Sequence, residues 1–400
     1  MGKGKIKERK LLGIAGVAWL FDAMDVGMLS FIIAALQKEW NLNTEQMGWS
    51  GSVNSIGMAV GALVFGIWAD RIGRKNVLII TLLLFSLGSG LSALTTSLSI
   101  FLVFRFLIGM GLGGELPVAS TLVSESVPVE RRGRVVVLLE SFWAAGWLIA
   151  ALISYFVIPA YGWQIALLIS ALPALYAIYL RIHLPDSERF QKVKEQRKIP
   201  VGKSLKSLLS KEYARRTLML WTLWFCVVFS YYGMFLWLPS VMVLKGFTLI
   251  KSFQYVVIMT LSQLPGYFTA AWLIEKAGRK FVLVTYLLGT AISAYFFGNA
   301  ETLTALLLSG CLLSFFNLGA WGALYAYSPE QYPTLIRATG TGMAAAVGRI
   351  GGILGPLAVG YLLATNTSIE QIFLLFGISI IIGMLSVIFL GKETKNVKLE

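Results

Sequence analysis

The chain of 400 residues is 57% hydrophobic and only 14% charged, whereas soluble domains carry about a quarter charged residues. Its mean hydropathy of +0.74 and its recurrent apolar runs predict an integral membrane protein, since about 20 apolar residues cross a bilayer. The formal net charge of +14 does not indicate a nucleic-acid partner, because nearly all basic residues lie in turns between apolar runs. Cys226 and Cys311 are predicted to fill apolar helix positions rather than to form a disulfide.

Twelve apolar runs, separated by turn signals, predict twelve transmembrane helices. The basic stretch before Leu11 resembles the start of a secretory leader. No small-residue cleavage site follows a short apolar core, so we interpret the first run as a retained helix. The predicted spans of the first half are 11–36, 48–69, 76–96, 100–125, 134–157 and 163–183. Those of the second half are 215–243, 250–274, 281–300, 302–327, 339–363 and 370–390.

The basic residues in the turns predict which side of the membrane each turn faces. With the N-terminus inside, the cytoplasmic segments hold 29 of the 34 Lys and Arg residues, and the outer loops hold three. Cytoplasmic loops carry an excess of Lys and Arg, so both termini are expected to be cytoplasmic. The basic stretch 184–214 is predicted to be a cytoplasmic linker between a first half, 1–183, and a second half, 215–400.

A charged turn after the second predicted helix recurs in degenerate form 205 residues later. Asp70 in the first copy sits at a helix C-terminus, where a carboxylate opposes the helix dipole. We therefore expect Asp70 to face the positive start of the eleventh helix, and Glu275 in the second copy to face the start of the fifth. The two copies predict a cytoplasmic gate, whose predicted members are Gly66, Asp70, Arg71, Gly73, Arg74, Glu125, Arg134, Glu140, Glu275, Arg279, Glu330 and Arg337.

Several motifs resemble those of the major facilitator superfamily. The turn Gly66-x-x-x-Asp70-Arg71-x-Gly73-Arg74-Lys75 is similar to the loop between its second and third helices, and Arg105-x-x-x-Gly109-x-Gly111 is similar to a motif of its fourth helix. Sugar porters and organic ion transporters have turns similar to Glu125-Ser-Val-Pro128-x-x-x-Arg132 and Pro329-Glu330-x-x-Pro333-x-x-x-Arg337. The resemblance implies an all-α membrane protein with twelve transmembrane helices in two pseudo-symmetric six-helix halves, with both termini cytoplasmic.

Four further stretches narrow the resemblance to bacterial niacin transporters. They are Phe21-Asp22-x-x-Asp25, Gly113-Gly114-Glu115-Leu-Pro-Val118, Tyr231-Tyr232-Gly233 and Gly348-Arg349-Ile-Gly-Gly352. The resemblance implies a secondary transporter of the bacterial cytoplasmic membrane that imports nicotinate by alternating access. We expect a monomer that needs no cofactor, and the buried charges described next predict coupling to protons. Whether nicotinamide is also a substrate stays open.

Ionisable residues inside the predicted helices indicate the transport path, because each costs about 2.5–3.5 kcal/mol at the bilayer centre and usually faces a cavity. Two acids near an arginine allow one acid to hold a proton near neutral pH. The alternative is a static Asp–Arg pair that locks the first helix to the fourth. The predicted proton-coupling residues are Asp22, Asp25, Arg105 and Glu115.

Arg349 is the predicted ligand for a substrate carboxylate, since a guanidinium forms two parallel hydrogen bonds with that group. The resemblance supports this role, because an arginine at this motif position serves anionic substrates in the organic anion transporters. The alternative is a structural ion pair with an acid of the first half. Aromatic and amide side chains complete the predicted substrate site: Tyr231, Tyr232, Trp143, Trp321, Gln263 and Asn317.

Other functional classes fit the sequence less well. Gly109-Met-Gly-Leu-Gly-Gly114 matches a dinucleotide fingerprint, but it lies in an apolar run without a preceding strand, where small residues favour helix packing. No motif assembles catalytic or metal-ligating residues, so neither an enzyme nor a metal site is expected. The alternatives that stay open are a carrier of the same fold for another organic ion, an aromatic acid or a sugar, and a membrane sensor that does not transport.

Overall fold

The computed structural model describes residues 8–72, 74–126, 132–173, 175–176, 179 and 207–395, and the regular secondary structure in them is entirely helical. The helices before the linker are α1 (Glu8–Glu39), α2 (Thr44–Ile72), α3 (Arg74–Ser92), α4 (Leu98–Ser126), α5 (Arg132–Tyr161) and α6 (Trp163–Ile169). The helices after it are α7 (Ala214–Phe235), α8 (Leu238–Leu244), α9 (Leu249–Leu261), α10 (Gln263–Ala277), α11 (Arg279–Gly298), α12 (Leu303–Glu330), α13 (Thr334–Ala364) and α14 (Ile369–Leu390).

The predicted all-helical fold is confirmed, and each predicted span overlaps a helix of the structure. Two predicted spans are interrupted, one between α7 and α8 and the other between α9 and α10. Proline explains both breaks, because Pro239 and Pro265 lie in the first turns of α8 and α10. A residue without an N–H fits a first turn without loss, whereas in a helix interior it removes a hydrogen bond and bends or breaks the helix. Among the described residues, eight helical segments are long and apolar enough to cross a membrane.

The helices pack in two sets that repeat one another. In the first set α1 packs on α5, and both α2 and α3 pack on α4. In the second set α7 packs on α13, and both α10 and α11 pack on α12. The sets meet where α2 contacts α13 and where α5 contacts α10, and these two contacts are also related by the repeat. The arrangement leaves a space between the sets that α1, α5, α7, α12 and α13 border.

Glycine allows α2 and α4 to approach closely. A Cβ atom at Gly61 of α2 would overlap the carbonyl oxygen of Met110, and one at Gly113 of α4 would overlap that of Met58. Small residues at such positions let backbones touch inside a membrane. The interpretation of the glycine run in α4 as a packing surface, rather than a dinucleotide site, is confirmed.

Gly61→Ala should lower the melting temperature of the purified protein, because the added methyl has no room and overpacking costs about 1–3 kcal/mol. Gly342 in α13 is the matched control, since a Cβ atom there meets nothing within 4 Å. Gly342→Ala should leave the melting temperature unchanged or raise it, because alanine favours a helix over glycine by about 1 kcal/mol. Equal melting temperatures for the two variants would contradict the close packing of α2 on α4.

Candidate functional site

A small cavity lies between the two sets of helices. Its water-accessible volume is about 20 Å³, which is room for a water molecule but not for an aromatic ring. A ring-sized substrate therefore requires the walls to move apart. The cavity is lined by Trp19, Trp143, Trp224, Val228, Tyr232, Trp321, Tyr325, Ala345 and Arg349.

The space is closed at the end that the sequence predicts to be outside. Ser52 of α2 donates a hydrogen bond of 2.7 Å to the carbonyl oxygen of Ile353 in α13. The rings of Phe31 in α1 and Phe253 in α9 meet edge to face with centroids 5.0 Å apart. These contacts join the two sets of helices, so opening this end requires them to separate.

Arg349 supplies positive charge to the cavity wall. Its Nη1 atom lies 3.6 Å from the sulfur of Met58, and the Tyr232 hydroxyl lies within its electrostatic reach. In the described part of the chain, no carboxylate is within salt-bridge distance of this guanidinium. The predicted alternative, a structural ion pair with an acid of the first half, is therefore not found among those residues. A half-buried guanidinium without a counter-ion is suited to an anionic ligand.

Aromatic rings from both sets form the rest of the wall. Trp143 of α5 and Trp321 of α12 stack across the boundary with centroids 6.4 Å apart and planes 22° apart. The structure brings these two predicted residues together with Tyr232 and Arg349. Five lining residues were not among the predicted substrate residues: Trp19, Trp224, Val228, Tyr325 and Ala345. The sequence signal for the two tryptophans is their shared offset of 205 residues, which places each in the first helix of its half.

Three other predicted substrate residues are buried outside the lining. The Tyr231 hydroxyl accepts a hydrogen bond of 2.7 Å from the indole N–H of Trp143, and its ring packs 4.7 Å from that of Trp321. Tyr231 thus contacts Trp143 and Trp321, which line the cavity, without lining it itself. Gln263 and Asn317 are 0% exposed, and within the described residues their amide groups have no hydrogen-bond partner.

The predicted proton-coupling residues form a buried ion pair. Arg105 of α4 donates a hydrogen bond of 2.6 Å to Asp25 of α1, and Ser89 of α3 donates one of 2.5 Å to the other oxygen. Asp22 lies one turn before Asp25, is 1% exposed and acts electrostatically on the Tyr232 hydroxyl. The side chain of Glu115 lies outside the described residues.

The described part of the predicted gate is an ion network in the second set of helices. Arg279 at the start of α11 pairs with Glu275 at 3.3 Å and with Glu330 at 3.1 Å. Thr394 donates a hydrogen bond of 2.6 Å to Glu330. Arg337 donates to the carbonyl oxygen of Pro329 at 3.0 Å. The network ties the ends of α10, α11, α12 and α13 to the C-terminal tail.

The remaining gate residues are placed differently. Arg134 is exposed, and no ion pair joins it to Glu275 within the described side chains. Glu140 lies deeper than a surface gate, fully buried in α5. Predicted gate residues whose side chains, or whose whole residue, lie outside the described structure are Gly66, Asp70, Arg71, Gly73, Arg74 and Glu125.

The fold and these motifs agree with a family comparison. The family model described as Major Facilitator Superfamily matches residues 16–267 and 255–400. The chain belongs to the major facilitator superfamily. Its fold also matches a crystal structure of a D-xylose-proton symporter with a TM-score of 0.79 over 96% of this chain and 98% of that one, at 20% identity. At that identity the likeness concerns the fold alone.

Two bacterial relatives of this superfamily member are similar over almost their whole length. A protein of Bacillus subtilis named "Putative niacin/nicotinamide transporter NiaP" is 67% identical over 100% of both chains. The niacin transporter NiaP of Acinetobacter baylyi is 47% identical over 98% of this chain and 95% of the relative. The predicted resemblance to niacin transporters is therefore confirmed, and with it a multi-pass transporter of the cytoplasmic membrane.

Proposed function

We propose that the chain imports nicotinate across the bacterial cytoplasmic membrane by alternating access. The observation that carries the proposal is Arg349, a guanidinium without a carboxylate partner among the described residues, in a wall of aromatic rings between the two sets of helices. A planar anion fits such a wall, because the fork of Arg349 receives the carboxylate. Trp143 and Trp321 offer faces for the pyridine ring. The names of the two bacterial relatives support the same substrate.

We place both termini in the cytoplasm and divide the chain into 1–183, a basic linker 184–214, and 215–400, with six transmembrane helices in each half. The distribution of 29 Lys and Arg residues against three supports this orientation. The repeated packing of the two helix sets supports the division. Relative movement of the two halves would expose the cavity first to one side of the membrane and then to the other.

We assign proton coupling to the acids of α1. A proton on Asp25 would remove its charge and weaken its bond to Arg105, so substrate movement and protonation would share one buried pair. Asp22 is near enough to Tyr232 to sense the substrate site. The predicted gate would close the cytoplasmic side while the outer side opens.

Uptake of labelled nicotinate into vesicles that contain the purified protein tests the proposal. Uptake should saturate, should increase when the outside is made acidic, and should fall with excess unlabelled nicotinate. Xylose and a quaternary amine should not compete, and the effect of nicotinamide would define how much the carboxylate contributes. Competition by xylose or by the amine alone would instead support another carrier of this fold. Binding of nicotinate without uptake would support a sensor.

A further inference from the structure

Glu140 is a fully buried carboxyl group that the proposed transport cycle does not yet use. It lies on α5, eight residues after that helix begins, and is 0% exposed. The indole N–H groups of Trp19 in α1 and Trp321 in α12 face it, but neither oxygen makes a hydrogen bond of normal geometry in the described part of the chain. Both indoles also line the cavity, so Glu140 lies directly behind the wall.

Among the residues that the structure describes, the neighbours of Glu140 provide no compensating cation. Tyr267 of α10 and Tyr325 of α12 face it as neutral hydroxyls. Arg349 acts on Tyr325 from α13, but it is not within salt-bridge distance of the acid. The other described acids of this region, Asp22 and Asp25, lie on α1.

Asp25 shows the contrasting case. Its two oxygens accept hydrogen bonds from Arg105 and Ser89, so its negative charge is compensated inside the membrane. A carboxylate taken out of water without a cation or a full set of hydrogen bonds is strongly disfavoured, and such a group binds a proton instead. We propose that Glu140 is a proton-binding site separate from the Asp25–Arg105 pair, and that it is protonated in this closed conformation.

Glu140 is covered by helices of the other set, so its protonation is expected to depend on the relative movement of the two sets. Trp321, Tyr325 and Tyr267 belong to α12 and α10, whereas Glu140 belongs to α5. One turn nearer the start of α5, Val137 packs against Gly322 of α12, where a Cβ atom would lie 3.0 Å from its side chain. Separation of α5 from α10 and α12 at the cytoplasmic end removes this cover and admits water to Glu140. Glu140 therefore binds a proton as the cytoplasmic end closes and releases it as that end opens.

Infrared spectroscopy of the purified protein tests the proton site without any substrate. A neutral carboxyl group has a C=O stretching band that a carboxylate lacks, and the band shifts in heavy water. We expect the band of a buried neutral acid near pH 7 in the wild-type protein, its loss in Glu140→Gln, and a displaced band in Glu140→Asp. Glu301→Gln, at an exposed loop carboxylate, should leave the band unchanged. An identical band in wild type and Glu140→Gln would overturn the proposal.

Coupling to transport is tested separately, and this step rests on the proposed function. With a gradient of about one pH unit, loss of one coupled proton lowers steady-state accumulation about tenfold. Glu140→Gln should show that loss while nicotinate exchange without a gradient continues. Unchanged accumulation in Glu140→Gln would overturn the coupling. If wild-type vesicles take up no nicotinate, the proposed function fails, and the infrared result still decides the proton site.

If Glu140→Gln does not fold, Glu140→Asp tests the proton site instead. A C=O stretching band at the wild-type position in Glu140→Asp would contradict the assignment to Glu140.

Discussion

Arg349→Gln is expected to weaken nicotinate affinity by about ten- to a hundredfold. Each hydrogen bond to a charged group contributes about 1.5–3 kcal/mol, and about 1.4 kcal/mol corresponds to a factor of ten. Glutamine keeps a neutral NH2 group but loses the charge and the fork of the guanidinium. The Michaelis constant for labelled nicotinate uptake, and the dissociation constant of the purified protein, measure the change. The fold should persist, because within the described residues the guanidinium has no salt bridge and its contact with the Met58 sulfur, at 3.6 Å, is weak.

Two comparisons separate carboxylate binding from a general effect on the cavity. Arg349→Lys retains the charge without the planar fork, so its affinity should lie between those of the wild type and Arg349→Gln. Lys251→Gln removes a cation from an exposed position of α9 and should not alter transport. Nicotinamide has no carboxylate, so its ability to compete should change less than that of nicotinate. An equal loss for both compounds would refute the role of Arg349 as the carboxylate ligand.

The helical fold follows from the sequence because the bilayer restricts the choices. A chain with long apolar runs must satisfy its backbone polar groups within each span, which selects helices. The predicted spans therefore overlap the observed helices even where their ends differ. The breaks near Pro239 and Pro265 were not predicted, since a proline in an apolar run can bend, interrupt or begin a helix, and the packing around it decides which.

The candidate site could be predicted only in part. Arg349 stands out because a cation inside an apolar run is rare and costly. Trp19 and Trp224 do not stand out in a chain with 12 tryptophans, although the internal repeat pairs them. Gln263 and Asn317 lie on the same helices as residues near the cavity but are not part of its lining. Which face of a helix points to the cavity depends on the helices packed against it.

The burial of Glu140 could not be predicted from the sequence either. Its position near the start of α5 indicated a gate at the membrane surface. The structure instead buries it, because bulky side chains of α10 and α12 cover it from the other half. Those side chains lie more than a hundred residues away in sequence, and no local pattern around Glu140 predicts the contact.

Asp25→Asn is expected to remove the part of nicotinate accumulation that the Asp25–Arg105 pair couples to a pH gradient, about tenfold for one pH unit, while sparing exchange. The variant cannot alternate between a charged and a neutral state, so the pair with Arg105 no longer responds to protons. It should also lower the stability of the protein by about 3–5 kcal/mol, because Arg105 is 0% exposed and loses its counter-ion. Accumulation and exchange in vesicles measure the first effect, and thermal unfolding measures the second. Gradient-driven accumulation at the wild-type level would exclude Asp25 as a coupling residue.

The double variant Asp25→Asn, Arg105→Gln separates these two effects. Removing both charges leaves no uncompensated cation, so stability should recover relative to Asp25→Asn alone. A double-mutant cycle of the two single variants and the double variant gives the coupling energy of the pair. Coupling to protons through this pair should not recover, because no titratable group replaces Asp25. Glu140→Gln should behave differently, since it removes an acid that has no cation partner in the described structure and strands no charge. About tenfold lower accumulation in each single variant, with a stable fold in Glu140→Gln and a destabilised fold in Asp25→Asn, would assign the two acids to separate proton sites.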